Sequence, residues 1–235
     1  MQVKITALGT RGAYPTPDNG TSGYLLQADG RAWLIDLGSG CLARALALVD
    51  LRDIAGVIVS HWHADHTCEV PLMGYAWGLD NCPEDLPIYA PEEARPSLPP
   101  RLRCVTPGHQ TLLAPDLRLT TWPTQHPVTG YMLRLELPGA VIAYSGDSLP
   151  TADLVNCARG ADLLICNAAY DSKNLRQAPH LGAVAAATVA RDAGAKCLWL
   201  AHCMPGQDPD ALLAEARGGF GDCVMAEAGE NFVLR

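Results

Sequence analysis

Val57-Ile58-Val59-Ser60-His61-Trp62-His63-Ala64-Asp65-His66 is the stretch that decides how this chain is read. The run from Ile54 to Ser60 is too short for a helix of its own and suits a strand buried on both faces. It leads directly into three imidazoles and a carboxylate within six residues. Nitrogen and oxygen donors at that density are what a borderline-soft divalent ion such as Zn²⁺ prefers. His61 and His63 stand two apart, so on an extended segment their side chains point the same way. Asp65 and His66 are neighbours and are expected to diverge, which argues for a second ion rather than four ligands on one. A single histidine on an apolar strand is more often a satisfied core residue; this cluster is not that case.

The same event recurs along the chain. Leu119 to Trp122 leads to His126, Ala140 to Tyr144 leads to Ser145-Gly146-Asp147, and Leu198 to Ala201 leads to His202. Four buried strands each deliver an imidazole or carboxylate at or beyond the C-terminal end, the edge where α/β sheets bind ligands. Gly23 to Gln27 and Ala32 to Asp36 flank Asp29-Gly30, a hairpin signature. Tyr131 to Leu137, Leu163 to Cys166 and Lys196 to Ala201 read as further strands. Helices are expected over Cys41 to Leu51 and Thr67 to Gly78. Another carries Leu181, Val184, Ala185, Thr188 and Val189 on one face and ends at Gly194. Residues 83–107 hold seven prolines and read as surface connection around one strand near Ile88-Tyr89. With no repeat and no linker, the pattern predicts an α/β fold in a single domain over residues 1–235.

Composition narrows the function. Hydrophobic residues make up 49% and charged residues 18% of 235, which excludes a disordered chain. Lys+Arg 17 against Asp+Glu 25 leaves a net charge of −8. That balance disfavours a long nucleic acid as partner, because such affinity comes from neutralising phosphates with Lys and Arg. It leaves room for a small anion held locally by metal. No segment suggests a membrane span or a secretory signal. The nine cysteines are scattered without a C-x-x-C pair, which predicts a reduced, cytoplasmic protein.

His61-x-His63-x-Asp65-His66, His126, Asp147 in Tyr-Ser-Gly-Asp-Ser, and His202 together resemble the metallo-β-lactamase fold superfamily. Thr21-Ser22-Gly23-Tyr24 with Asp36-x-Gly38-Ser39-Gly40 is similar to its ribonuclease Z-like phosphodiesterase branch. The resemblance implies an αββα sandwich of two mixed β-sheets flanked by helices, and a homodimer. Carried over by position, it implies one ion on His61, His63 and His126 and a second on Asp65, His66 and His202, with Asp147 bridging. Zn²⁺ is the expected metal, and Mn²⁺ or Fe²⁺ also suit such donors. Two such ions about 3.5–4 Å apart would hold a hydroxide between them as nucleophile at neutral pH.

The resemblance also gives Asp65 a part in orienting the nucleophile and makes His180 the proton donor to the leaving group. The glutamate that partners this histidine in the family falls here at Asn167, and Asp171 is the alternative partner. Tyr14, Asn19 and Thr21, in the loop after the first strand, are candidate substrate contacts. His109 lacks ligand-like context and reads as a surface residue; Cys203 reads as facing away from His202's side. The 21 positions from His126 to Asp147 already hold two strands, so the arm of tRNA-processing members has no room there. The expected substrate is therefore a small phosphodiester, cyclic ones included. A carboxyl-ester, lactone or thioester hydrolase and a non-catalytic metal-binding regulatory module stay open as alternatives.

Overall fold

The computed structural model describes residues 2–93, 95–174 and 179–234. It divides into two compact units, Met1–Pro107 with Glu227–Arg235, and Gly108–Ala226. Each unit is built on one mixed β-sheet with helices beside it, as the sequence predicts.

In the first unit the strands are β1 (Val3–Arg11), β2 (Gly20–Thr21), β3 (Gly23–Ala28), β4 (Arg31–Leu37), β5 (Ile54–Ile58), β6 (Leu86–Tyr89) and β7 (Leu102–Val105), joined by the late β16 (Asn231–Leu234). Their order is β16-β1-β3-β4-β5-β6-β7, with β2 paired to β1. β2 pairs parallel with β1; along the main order pairing is antiparallel as far as β4 and parallel beyond it. The β3–β4 hairpin turns at Asp29-Gly30, both at positive φ (50° and 72°), the left-handed pair that a two-residue hairpin turn requires. Leu8, Leu25, Leu34 and Val57 lie in one core with Met73 and Trp77, while alternate residues such as Ile5, Leu26 and Ile35 are equally buried. Burial on both faces explains the unbroken apolar runs.

Three expectations for this unit change. Helix α1 spans only Cys41–Leu46, because the Asp50 carboxylate accepts from Arg52 N–H and starts a separate 3₁₀ turn at Leu51–Asp53. Leu46 and Leu48 are exposed, so the leucines there share no buried face. The helix expected over Thr67 to Gly78 is α3 (Val70–Leu79), starting three residues later, with a separate short helix α2 (Ala64–Thr67) before it. Pro71 causes the break, since its ring cannot accept a helical continuation from Thr67 but fits the first turn of α3. The proline-rich stretch carries two paired strands, β6 and β7, rather than one.

The second unit has strands β8 (Gln110–Ala114), β9 (Leu117–Pro123), β10 (Tyr131–Leu137), β11 (Ala140–Tyr144), β12 (Leu163–Tyr170), β13 (Leu181–Gly182), β14 (Leu198–Ala201) and β15 (Cys223–Met225). The order is β15-β14-β12-β11-β10-β9-β8, with β13 on β12. Here too the sheet changes from antiparallel to parallel at a single strand, β11. Helices α4 (Ala152–Ala158), α5 (Ala183–Ala193) and α6 (Pro209–Arg217) complete it. Gly194 closes α5 at φ 66°, as predicted. The buried face of α5 differs from the expected one: Ala183, Ala186, Ala187, Val189, Ala190 and Ala193 face inward, and Val184 is 52% exposed. Alanines have replaced the bulkier side chains at that contact. Among the described residues no helix is long and apolar enough to cross a membrane.

Candidate metal centre

In the first unit, β5 ends at Ile58, the chain bends at Ser60, and extended backbone at His63 leads into α2. That geometry brings His61 Nε2 to 3.0 Å from His63 Nδ1. His66, on α2, packs its ring 4.2 Å from that of His61. The expected divergence of Asp65 and His66 does not occur, since Asp65 Oδ2 stands 3.7 Å from His66 Nε2. The N–H of Ala13, in the loop after β1, donates to the same Asp65 oxygen at 3.0 Å.

Asp36, near the end of β4, organises these rings. It is fully buried and accepts from Ser60 N (2.7 Å), Ser60 Oγ (2.8 Å) and His66 Nδ1 (2.7 Å). A carboxylate only accepts, so the Ser60 hydroxyl proton points at Asp36. Ser60 Oγ must then accept from His61 Nδ1, 3.0 Å away. Both histidines therefore carry their proton on Nδ1 and turn a bare Nε2 toward the cluster. This carboxylate–imidazole arrangement commonly backs a metal ligand. Asp36 sits at φ 54°, a conformation that Asp and Asn tolerate better than most residues.

In the second unit the corresponding carboxylate is Asp147, three residues past β11. Asn167, in β12, donates from Nδ2 to Asp147 Oδ1 at 2.8 Å and to the Tyr144 hydroxyl at 3.1 Å. Ser60 and Asn167 hold the same place in their sheets, each two residues past the isoleucine (Ile58, Ile165) that pairs with the switch strand. Asp147 Oδ1 lies 3.5 Å from His202 Nε2; its Oδ2 lies 3.7 Å from His180 Nδ1 and 3.9 Å from His126 Nε2. His126 Nδ1 donates to the Pro179 carbonyl at 3.3 Å, which turns its Nε2 toward Asp147.

Other residues singled out by sequence take definite places. Tyr14 is 60% exposed. Asn19 is buried and bonded to Thr10 and Glu227, and Thr21 Oγ1 accepts from Ser39 N, so both hold the loop's shape. His109 is exposed, as expected, with its ring edge against Trp122. Asn167 binds Asp147 rather than the His180 ring, and Asp171 accepts from the backbone and side chain of Asn174, closing a turn. Cys203 is buried in the second unit's core. Burial pushes the Cys166 thiol up to about 12, with Cys223 nearby adding to the shift, which keeps it a neutral core group. Asp36 and Ser60 had no role in the sequence reading. The signal was there: Asp36 is one more carboxylate delivered at the end of a buried strand.

The donor spacings fit a divalent ion. Two ligands on one tetrahedral Zn²⁺, each about 2.0–2.1 Å from it, lie roughly 3.3 Å apart. The pairs above fall between 3.0 and 3.9 Å, mostly too long for direct hydrogen bonds and right for atoms sharing an ion.

Residues 31–203 match the family described as Beta-lactamase superfamily domain. The probable metallo-hydrolase YhfI of Bacillus subtilis is 30% identical over 241 residues, covering 97% of this chain and 98% of that protein. The crystal structure of YhfI superposes with a TM-score of 0.92 at 26% identity, covering 99% of each chain. Ribonuclease Z of Haloarcula marismortui is 27% identical over 298 positions, covering 97% of this chain and 96% of that enzyme. That alignment is longer than the 235 residues here, so the archaeal enzyme carries insertions with no counterpart in this chain.

Proposed function

The chain belongs to the beta-lactamase superfamily and is a metal-dependent hydrolase, and from that premise we propose a dinuclear phosphodiesterase acting on small phosphodiesters, cyclic ones included. The two units are read as one hydrolase domain over residues 1–235. In this reading His61, His63 and His126 would hold one ion and Asp65, His66 and His202 the other, with Asp147 offering a carboxylate to both. The supporting observation is preorganisation: the protein fixes Nδ1 of His61, His66 and His126, which turns each Nε2 toward other donors of the set. The imidazole-rich set suits Zn²⁺, with Mn²⁺ or Fe²⁺ as alternatives. Bound there, divalent ions would acidify a water and offset the charge growing on the phosphoryl oxygens.

The chain's own residues supply the rest. Asp65, fixed by the Ala13 N–H, would orient the attacking oxygen by accepting a hydrogen bond from it. His180 begins the β13 segment beside His126, His202 and Tyr170 and hands a proton to the departing oxygen. The net charge of −8 and the two strands that fill residues 126–147 support a compact substrate over tRNA. The insertions of the ribonuclease Z relative support it too. Nine thiol cysteines suit a reducing cytoplasm, where we place the protein as a homodimer.

The test is a substrate-class screen on full-length protein stripped of metal and reloaded with Zn²⁺. Cyclic nucleotides and an aryl phosphodiester should turn over, and Asp65→Ala should lower kcat by about 100-fold or more. Turnover confined to lactones or thioesters would replace this reading with a carboxyl-ester hydrolase. Full metal binding without turnover of any substrate would leave a regulatory module.

A further inference from the structure

Residues 12–19 form the loop between β1 and β2, and one carboxylate outside the loop, Glu227, takes hold of the residues at both of its ends. We infer that Glu227 is a positioning residue: by clamping that loop it aims the Ala13 N–H at Asp65. This rests on the reading above only in giving Asp65 a part in the chemistry.

The clamp is made of side chains within the first unit. Arg11, the last residue of β1, donates from Nη2 to Glu227 Oε1 at 3.3 Å. Asn19, at the other end of the loop, donates from Nδ2 to Glu227 Oε2 at 2.6 Å. Asn19 is 2% exposed and ties back to the strand as well, accepting from Thr10 N at 3.1 Å and donating to Thr10 Oγ1 at 2.8 Å. Glu227 is itself held in place. The Gly229 N–H donates to the Ala7 carbonyl at 2.8 Å, and the Ala7 N–H donates to the Glu230 carbonyl at 2.9 Å. The carboxylate therefore reaches the loop from a turn already registered on β1. Compact loops whose ends meet in this way are frequently functional.

Inside the clamp sits a strained residue. Ala13 has φ 58°, a left-handed conformation that a residue other than glycine keeps only where the surroundings over-determine it. Held so, its N–H donates to Asp65 Oδ2 at 3.0 Å. Gly12 alone separates Ala13 from Arg11, so a shift at Arg11 passes directly to that N–H. The side chains of Arg11 and Glu227 are 20% and 50% exposed, and a pair so open to water adds little stability. What it fixes is place. Arg44, on α1, donates to the Leu8 and Asp18 carbonyls at 3.0 and 2.6 Å and holds the loop's neck independently of Glu227. Removing Glu227 should therefore loosen the loop without unfolding the unit.

The experiment compares Glu227→Ala and Glu227→Gln in the full chain. Residue-level amide exchange, followed by NMR on the metal-free protein, reads the loop directly. Ala13 should exchange about tenfold faster in Glu227→Ala, with β3 and β4 unchanged. Glu227→Gln keeps one acceptor oxygen and should fall between the native protein and Glu227→Ala. In the Zn²⁺-loaded enzyme, Glu227→Ala should lower kcat for a phosphodiester about tenfold with KM within about twofold, the signature of misplaced chemistry rather than lost binding. Unchanged Ala13 exchange, acceleration spread equally over β3 and β4, a Glu227→Gln protein as fast as Glu227→Ala, or an unchanged kcat overturns the inference. Should circular dichroism show Glu227→Ala unfolded, Arg11→Ala must accelerate Ala13 exchange instead, and failure to do so also overturns it. A native protein that turns over no phosphodiester would sink the proposed substrate class, and amide exchange would still decide the clamp.

Discussion

Replacing Asp36 by Asn tests whether the buried carboxylate sets the proton positions on two histidines. The exchange keeps shape, and Asn accepts the φ of 54° at this position. Its carbonyl can still take the Ser60 N–H, but its amide now faces Ser60 Oγ and His66 Nδ1 as a donor. His66 must give up its Nδ1 proton to accept that bond, which moves the proton to Nε2. Ser60 Oγ, now receiving from the amide, sends its own proton to His61 Nδ1 and forces the same exchange there. Both rings then present a protonated nitrogen where a ligand lone pair is needed. Loss of such a backing partner typically weakens metal binding 10- to 100-fold, about 1.4–2.7 kcal/mol. Folding of the metal-free protein should suffer less, because every hydrogen bond keeps a partner. Asp36→Ala has no such escape: Ser60 N–H, Ser60 O–H and His66 N–H lose their acceptor together, at roughly 3–5 kcal/mol of stability. Chelator competition gives the affinity, and ¹⁵N ring spectra give the tautomers. An Asp36→Asn protein with unchanged metal affinity, or with protons still on Nδ1, would refute the reasoning.

Glu69 receives the N–H groups of Gly40 and Leu42 at 2.7 Å each and so caps the start of α1. Glu69→Ala should cost about 1–2 kcal/mol in urea unfolding, discounted for partial exposure, with metal affinity unchanged. A Cβ on Gly38 would overlap the Asp65 carbonyl oxygen and the Thr21 hydroxyl, so Gly38→Ala should both lower the unfolding midpoint and weaken metal binding, measured by melting and chelator competition. Burial raises the thiols of Cys41, Cys157, Cys166 and Cys223, and Cys68 alone among the nine cysteines is exposed. Partial burial and then Glu69 raise the Cys68 thiol as well, so at pH 8 an aromatic disulfide reagent should reach Cys68 first through access rather than acidity, half-buried Cys104 and Cys197 more slowly, and the rest only after unfolding. Fast reaction of six or more thiols in the native protein would contradict the packing.

Strand ends were the legible part of this chain. β10 and β11 run over Tyr131–Leu137 and Ala140–Tyr144, the bounds read from the sequence, and His61, His126 and His202 lie just beyond strand ends, whereas His66 lies on α2. What escaped the sequence depended on partners far along the chain. Nothing near Asp36 says that it receives His66, thirty residues on, and Asn167 looked like a change in a proton-transfer pair until its amide was seen on Asp147. Helix faces failed for a related reason: the elements packed on α5 set its inward face, and that face is mostly alanine. The edge strands β7 and β8 are short and half-exposed, so their hydrophobic signal is weak.

Each sheet changes from antiparallel to parallel pairing at one strand, β4 in the first unit and β11 in the second, and the key carboxylate sits at or just past that strand's end. A chain built this way can diversify cheaply. The two carboxylates are located by hydrogen-bonded ladders, whereas residues 12–19, the loop after β1, lie outside both ladders. Lengthening the loop after β1 or the stretch before β13 would reshape what enters while leaving Asp36 and Asp147 where the ladders put them. An engineer seeking a new specificity should vary those two segments and leave the residues flanking β4 and β11 alone.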